Sequence, residues 1–250
     1  MNAAEEIRDA LARVAEWRQA VSVPGDLADA VHAIKHLQAQ RFTGTYPDLL
    51  ADPLYAPSAT FFLEELYSAK DYSHRDAQFA RIAGAVERTF PASVVSTVLA
   101  LAKLHRQTEE LDMAMAQSWL QISSLSHTAR YLTAWRAVGQ RPARHWQLAA
   151  ALEIGQALGQ LTRKPGLRLM LKMMRKPAEL AGLGALQSFL ESGFDNFSGM
   201  AKRGAVTAFL DTVRTREAAW IGQLFDADPV TCDAELTLVL AFASKNASPP

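Results

Sequence analysis

The sequence predicts an all-α protein, and three observations carry that expectation. Apolar residues recur at i, i+3, i+4 and i+7 along nearly the whole chain, the spacing that turns one face of a helix toward a core. Pro and Gly fall at intervals that cut this pattern into helix-sized pieces. Only two short runs, 94–101 and 236–242, also fit strands, and both lie in helical context. With 250 residues, 49% of them hydrophobic, the chain can bury a substantial core. The expectation is one compact domain of about nine to eleven helices over 1–243, with a candidate subdomain boundary at 164–166 and a flexible tail at 244–250.

The first helix takes Asn2 as N-cap and runs to residue 22, with Ile7, Leu11, Val14 and Trp17 on one face. Pro24-Gly25 ends it, and Asp26 caps a second helix with Leu27, Val31, Ile34 and Leu37 inward. The Pro- and Tyr-rich stretch 44–57 reads as a long ordered connection. Ser58 then caps a short helix whose broad face is Phe62, Leu63, Leu66 and Tyr67. Ser73-His74-Arg75-Asp76 looks like a capping box with Asp in place of Glu, and it opens a helix striped by Phe79, Ile82, Val86 and Phe90. Pro91 starts another, with Val94, Val98, Leu101 and His105 on one face, and Leu111, Met115, Trp119 and Ile122 follow as a further stripe.

Trp135 and Val138 sit on a helix ended by Gly139, and Pro142 begins one that reaches Leu161. Lys164-Pro165-Gly166 is the sharpest punctuation in the chain. After it come a basic helix, a stripe of Leu186, Phe189, Leu190, Phe194 and Phe197, and a stripe of Val206, Phe209, Val213, Trp220 and Leu224. Asp228-Pro229 is a capped restart with Pro at the first helical position.

Charge and cysteine content exclude several classes. The 26 basic and 26 acidic side chains cancel, so no whole-molecule field steers the chain to nucleic acid, and sequence-specific nucleic-acid binding is not expected. Cys232 is the only cysteine, which rules out an intrachain disulfide and Cys-cluster metal sites and fits a reducing compartment. The opening segment is acidic and amphipathic, unlike a secretion signal, and charge interrupts each apolar run before it is long enough to span a bilayer. A cytoplasmic protein without a membrane span is the expectation.

Phosphate-binding glycine loops, the zinc-protease helix motif and the nucleophile elbow are missing, and no Glu has a His three residues on, as a di-iron bundle would require. The reading leans away from an enzyme without deciding the matter. His32 and His36, four apart, share a helix face but lack a third ligand, and no metal site is expected. Glu64 and Glu65 are expected to face water or to pair with Arg75 or Arg81. His105 is the most informative single residue, because an imidazole on the apolar stripe of Val94, Val98 and Leu101 needs a partner. Glu109, one turn on, is the local candidate, and a metal or haem is the alternative. The segment 163–176 carries six cations and no acid, interleaved with Leu167, Met170, Leu171 and Met174. Arg168, Lys172, Arg175 and Lys176 form a candidate interaction face for a protein partner or an anionic surface.

The chain resembles a group of uncharacterised proteobacterial proteins of similar length. The likeness rests on Arg41-Phe42 through Tyr46, on Phe61-Phe62-Leu63-Glu64-Glu65-Leu66-Tyr67 with Arg75-Asp76, and on Leu104-His105 with Glu110-Leu111-Asp112. Ala134-Trp135-Arg136 and the run 182–200 extend it over most of the chain. Leu101-Ala102-Lys103-Leu104-His105 also resembles the globin proximal helix. That likeness implies a haem on His105, with Phe61 or Phe62 packed against it and Gln78 on the distal side, although Thr108 stands where globins usually have lysine. Two functions therefore remain in view: a non-catalytic module binding a small molecule or a protein, and a haem or metal protein centred on His105. The sequence singles out no cofactor or partner.

Overall fold

The computed structural model describes residues 2–66, 70, 72–123 and 125–246, without the side chains at 66, 89, 245 and 246. Among the described residues the chain forms twelve helices and no strand. They are α1 (Ala3–Ala20), α2 (Asp26–Thr45), α3 (Pro47–Ala51), α4 (Ala56–Leu66), α5 (Ser73–Thr89), α6 (Ala92–Leu120), α7 (His127–Val138), α8 (Arg141–Leu161), α9 (Leu167–Leu180), α10 (Gly184–Lys202), α11 (Val206–Asp226) and α12 (Pro229–Asn246).

The all-helical expectation holds, and the count of nine to eleven is corrected to twelve. The additional helix is α3, inside the stretch read as a connection. Pro47 presets φ at its first turn, and one turn suffices to bury Leu49. Both runs that also fitted strands are helical, in α6 and α12, so neighbouring residues override their β-branched content. The Asn2 cap is present as a full capping box with Glu5, which stabilises α1 by about 1 kcal/mol. Asp228 likewise accepts the Val230 and Thr231 amides at the start of α12.

Three caps differ from the sequence reading. Gly25, not Asp26, precedes α2, and it makes no side-chain cap. Ser58 lies inside α4 and donates to the carbonyl of Asn196. Tyr72 precedes α5, leaving the Asp76 carboxylate for other partners. Helix α12 continues through Asn246, past the expected end near Ala243. Tyr67 and the tail at 247–250 lie outside the described residues.

The organising element is α6, whose 29 residues extend about 43 Å at 1.5 Å per residue. Helices α1, α2, α7 and α8 pack along it. Its N-terminal half meets α1, α5 and α10 through Ile7, Leu11, Phe79, Val98 and Leu186. Its C-terminal half meets α2, α7, α11 and α12 through Ile34, Met115, Trp119, Tyr131, Leu224 and Leu236. A third apolar cluster joins α2 to α4, α10 and α11 through Phe42, Tyr46, Phe62, Phe197 and Phe209.

Helices α2 and α12 approach so closely at Gly44 that a Cβ there would lie 2.2 Å from the Val239 carbonyl oxygen. Backbone cannot yield as a side chain can. Gly44→Ala is therefore expected to destabilise the protein by about 3 kcal/mol, the upper end for overpacking. Gly199→Ala, exposed on α10 with nothing within 4 Å of the added carbon, is expected to stabilise it by about 0.5–1 kcal/mol from helix propensity. Urea midpoints check both, and equal effects at the two positions would disprove the close approach.

Candidate functional site

Helix α6 carries a polar stripe through its packed middle: His105, Glu109 and Asp112, spaced i, i+4, i+7. Glu109 and Asp112 are buried and His105 is 16% exposed at its side chain. Such groups need partners from other helices. Lys35 on α2 reaches the two Glu109 oxygens at 2.7 and 2.9 Å, and Gln38, one turn on, donates to Asp112 at 2.9 Å. Both pairs are separated by 74 positions, so α2 and α6 run parallel here. From α8, Gln147 donates to Thr108 at 3.0 Å.

His105 Nε2 lies 2.8 Å from Asp76 Oδ2. The sequence pairing of His105 with Glu109 is thus corrected: Glu109 turns to Lys35, and Asp76 from α5 takes the imidazole. Arg18, in the last turn of α1, donates to the same Asp76 oxygen at 2.6 Å and stands 3.2 Å from His105 Nε2. With its proton on Nε2, His105 donates to the carboxylate. Arg75 holds the other Asp76 oxygen at 3.3 Å and pairs with Glu65 of α4, as the sequence allowed. Its guanidinium also lies over the Tyr72 and Phe189 rings. Asp76 sits in the first turn of α5, where the helix dipole favours an anion.

Burial alone would raise the Asp76 pKa, but the His105 hydrogen bond and the charges of His105, Arg75 and Arg18 outweigh it and hold the carboxyl at about 2. Burial pushes Glu65 and the fully enclosed Asp112 the other way, up from the usual carboxylate range. The outcome differs because Asp76 has two guanidinium neighbours and the His105 hydrogen bond.

This cluster closes one end of an apolar cavity of about 200 Å³. Its wall follows α6 from Val94 through Val98 and Leu101 to His105, about 16 Å along the axis. Phe61 and Phe62 of α4, Ile82 of α5, Ile154 and Leu158 of α8, and Phe189 and Phe194 of α10 complete the sides. Leu167, Leu171, Met174 and Ala178 of α9 lie over it. Glu65, Arg75, Asp76 and His105 are the charged or titratable groups among the lining residues.

Of the haem-related residues, His105 and Phe62 both line this cavity. Gln78 does not: its amide oxygen accepts the Leu186 N–H at 2.9 Å and its nitrogen lies 3.2 Å from His74 Nδ1. His32 and His36 stack at 6.3 Å, and no group of three or more His, Cys, Asp or Glu suited to a metal ion occurs among the described residues. In the basic segment, Arg168 pairs with Asp195 and Arg175 with Glu191, both on α10, whereas Lys172 and Lys176 have no acid within ion-pair distance among the described residues.

Sequence reasoning missed a second buried group. Arg41 grips Glu217 of α11 with two bonds of 3.1 and 2.7 Å, and Tyr46 donates to the same carboxylate at 2.9 Å. The only local signal was the spacing of Lys35, Gln38 and Arg41, a polar stripe at three-residue steps whose first two members match Glu109 and Asp112 on α6.

These features define an all-helical protein with an apolar cavity closed at one end by buried ion pairs. The chain belongs to the family described as domain of unknown function DUF8198, whose model matches residues 16–231. That family fits the uncharacterised group inferred from the sequence. No curated protein and no solved structure matches the chain.

The Asp76 carboxyl is depressed from 3.8 to about 2 on folding, so its stabilisation is present above about pH 4 and lost as pH falls toward 2. The shift corresponds to about 2 kcal/mol. The stability gap between wild type and Asp76→Asn is expected to be of that order at neutral pH, to narrow below pH 4 and to close near pH 2. Denaturant titrations at several pH values measure it, and a gap constant over this range would refute the ion-paired state of Asp76.

Proposed function

We propose that the protein is a non-catalytic module that binds a small amphipathic molecule, an aliphatic chain with a compact hydrogen-bonding head, in the cavity along α6. The single observation behind this reading is the cavity's polarity. Its walls are aliphatic and aromatic for about three helical turns, apart from Thr97, Thr162 and Gln187, and its charged or titratable groups are Glu65, Arg75, Asp76 and His105. Apolar pockets with a few convergent polar groups suit ligands of that shape.

An aliphatic chain would gain about 25 cal/mol for each Å² of apolar surface removed from water. The head would meet groups able to donate or accept. Arg75 and His105 donate, while Glu65, its pKa raised by burial, accepts when ionised and donates when protonated. We read residues 1–243 as one domain, because the cavity wall draws on α1, α4, α5, α6, α8, α9 and α10 and the core cluster around Met115 joins α6 to α2, α7, α11 and α12.

The haem reading keeps one supporting fact, that His105 and Phe62 line the same cavity. A haem iron would have to displace Asp76 and Arg18 from His105 Nε2. The aliphatic-ligand reading requires no such rearrangement.

The fluorescent fatty acid cis-parinaric acid tests this reading. Saturable binding is expected, with Val98→Trp, which fills the cavity, weakening it at least about tenfold while the helical spectrum is kept. Haemin is expected to give no Soret band that depends on His105. Parinaric acid binding unaffected by Val98→Trp, or a stoichiometric haem complex lost in His105→Ala, would overturn the assignment.

A further inference from the structure

Helix α9 has features that the cavity alone does not require. Its inner face supplies Leu167, Leu171, Met174 and Ala178 to the cavity wall. Its outer face nevertheless exposes Leu169 at 63%, Met173 at 69% and Leu180 at 90%. At 100° per residue these three fall on one ridge, with Lys172 and Lys176 along its edge. The α10 acids that neutralise Arg168 and Arg175 leave both lysines without an ion pair among the described residues.

The attachment of α9 is also slight. Its principal neighbour is α10, to which it is tied by those two exposed ion pairs and by the Gln187 side chain donating to the Leu171 carbonyl at 2.6 Å. Pro177 interrupts its interior, where proline costs about 3 kcal/mol. Gly166 and Gly182 flank it with φ of 81° and 68°, left-handed conformations that glycine adopts without strain.

We infer that α9 docks the protein on an anionic lipid surface, with Leu169, Met173 and Leu180 entering the interface and Lys172 and Lys176 meeting headgroups. The charge pattern selects this occupant. An exposed apolar ridge edged by unpaired lysines is the arrangement of helices lying in the plane of an anionic bilayer. The chain as a whole has no net charge, so the attraction is local to this helix. Docking also places the helix that covers the cavity at the boundary from which an aliphatic ligand would enter or leave. That last step rests on the proposed ligand class, whereas the docking itself does not.

Flotation of the full chain with vesicles separates the two. At low salt the protein is expected to float with phosphatidylglycerol-containing vesicles and not with pure phosphatidylcholine, and to be released as salt shortens the screening length from about 10 Å at 0.1 M to about 3 Å at 1 M. Each lysine near such a surface is worth about 1 kcal/mol, so losing both weakens binding roughly thirtyfold, and Lys172→Glu with Lys176→Glu, which adds repulsion, is expected to weaken it by at least that factor. Leu169→Ser with Met173→Ser, which leaves the charge unchanged, is expected to weaken it as well. Lys202→Glu with Arg203→Glu, exposed cations beyond α9, should leave it unaltered.

Flotation insensitive to both α9 pairs, or equal on neutral and anionic vesicles, would overturn the docking surface. So would a dimer in sedimentation that Leu169→Ser with Met173→Ser dissociates, since the ridge would then belong to a second copy. Transfer of cis-parinaric acid from protein to anionic vesicles is read separately. Slower transfer in the lysine variant is expected, and failure of the protein to take up the probe would remove the ligand class while leaving the flotation result standing.

Discussion

The polar stripe on α6 is the constraint on which the rest of the packing depends. A helix with four others along it cannot send His105, Glu109 and Asp112 to water, so each must be met from a neighbouring helix. Lys35, Gln38, Asp76 and Arg18 do this from α2, α5 and α1. Sliding α2 by one turn would misalign two pairs at once, and moving α5 would strand the His105 imidazole and the Arg18 guanidinium. Apolar contacts between the same helices tolerate small shifts. Charge pairs with fixed spacing do not, and breaking a buried pair by removing one member costs about 3–5 kcal/mol.

The same constraint gives the cavity its two unlike parts. Near His105 the helices are held by directional bonds among α1, α2, α5 and α6, and the Arg41 to Glu217 pair adds α11 beyond. Toward Val94 the walls are aliphatic and aromatic, and α9 contributes to them while having α10 as its principal neighbour. Local opening follows contact density, so the low-stability segment of this wall is α9 and the fixed one is the polar end. An aliphatic ligand would then have its head position set by rigid elements and its entry route set by a weakly held helix.

Much of the architecture was legible in the sequence because it rests on local rules. Periodicity identified the helices, and Asn2 and Asp228 act as the caps their chemistry implied. Short elements were harder: α3 is a single turn that exists because Pro47 presets it and Leu49 must be covered, and five residues carry no period. In the site, His105 was legible as an imidazole needing a partner, but the partner was not. Asp76 is 29 positions away, on a helix whose angle to α6 no local pattern encodes, and Glu109 seemed adequate until Lys35 claimed it. The matched spacings of Lys35 with Gln38 and of Glu109 with Asp112 were present in the sequence. Pairing them requires knowing that α2 and α6 are parallel neighbours.

Helix α9 shows the opposite case, where the sequence displayed the charge but not its meaning. Six cations without an acid read as one uniform basic segment. Folding divides them: Arg168 and Arg175 pair with acids of α10, Arg163 bonds to the Ala201 carbonyl and Lys164 to the Ser93 hydroxyl, while Lys172 and Lys176 lie within ion-pair distance of no acid among the described residues. Meanwhile Leu169, Met173 and Leu180, which in periodicity alone merely broaden an apolar face, emerge on the side away from the cavity. A helix needs roughly a 100° apolar arc to cover a core, and α9 carries apolar residues well beyond it. The excess has a cost in water that single scattered residues would not impose, since the three share one ridge. Covering that ridge by lipid removes the cost at the outer face. It also weakens the reason for the inner face to stay closed, because the leucines and methionines on both sides of the helix would then find an apolar medium equally available.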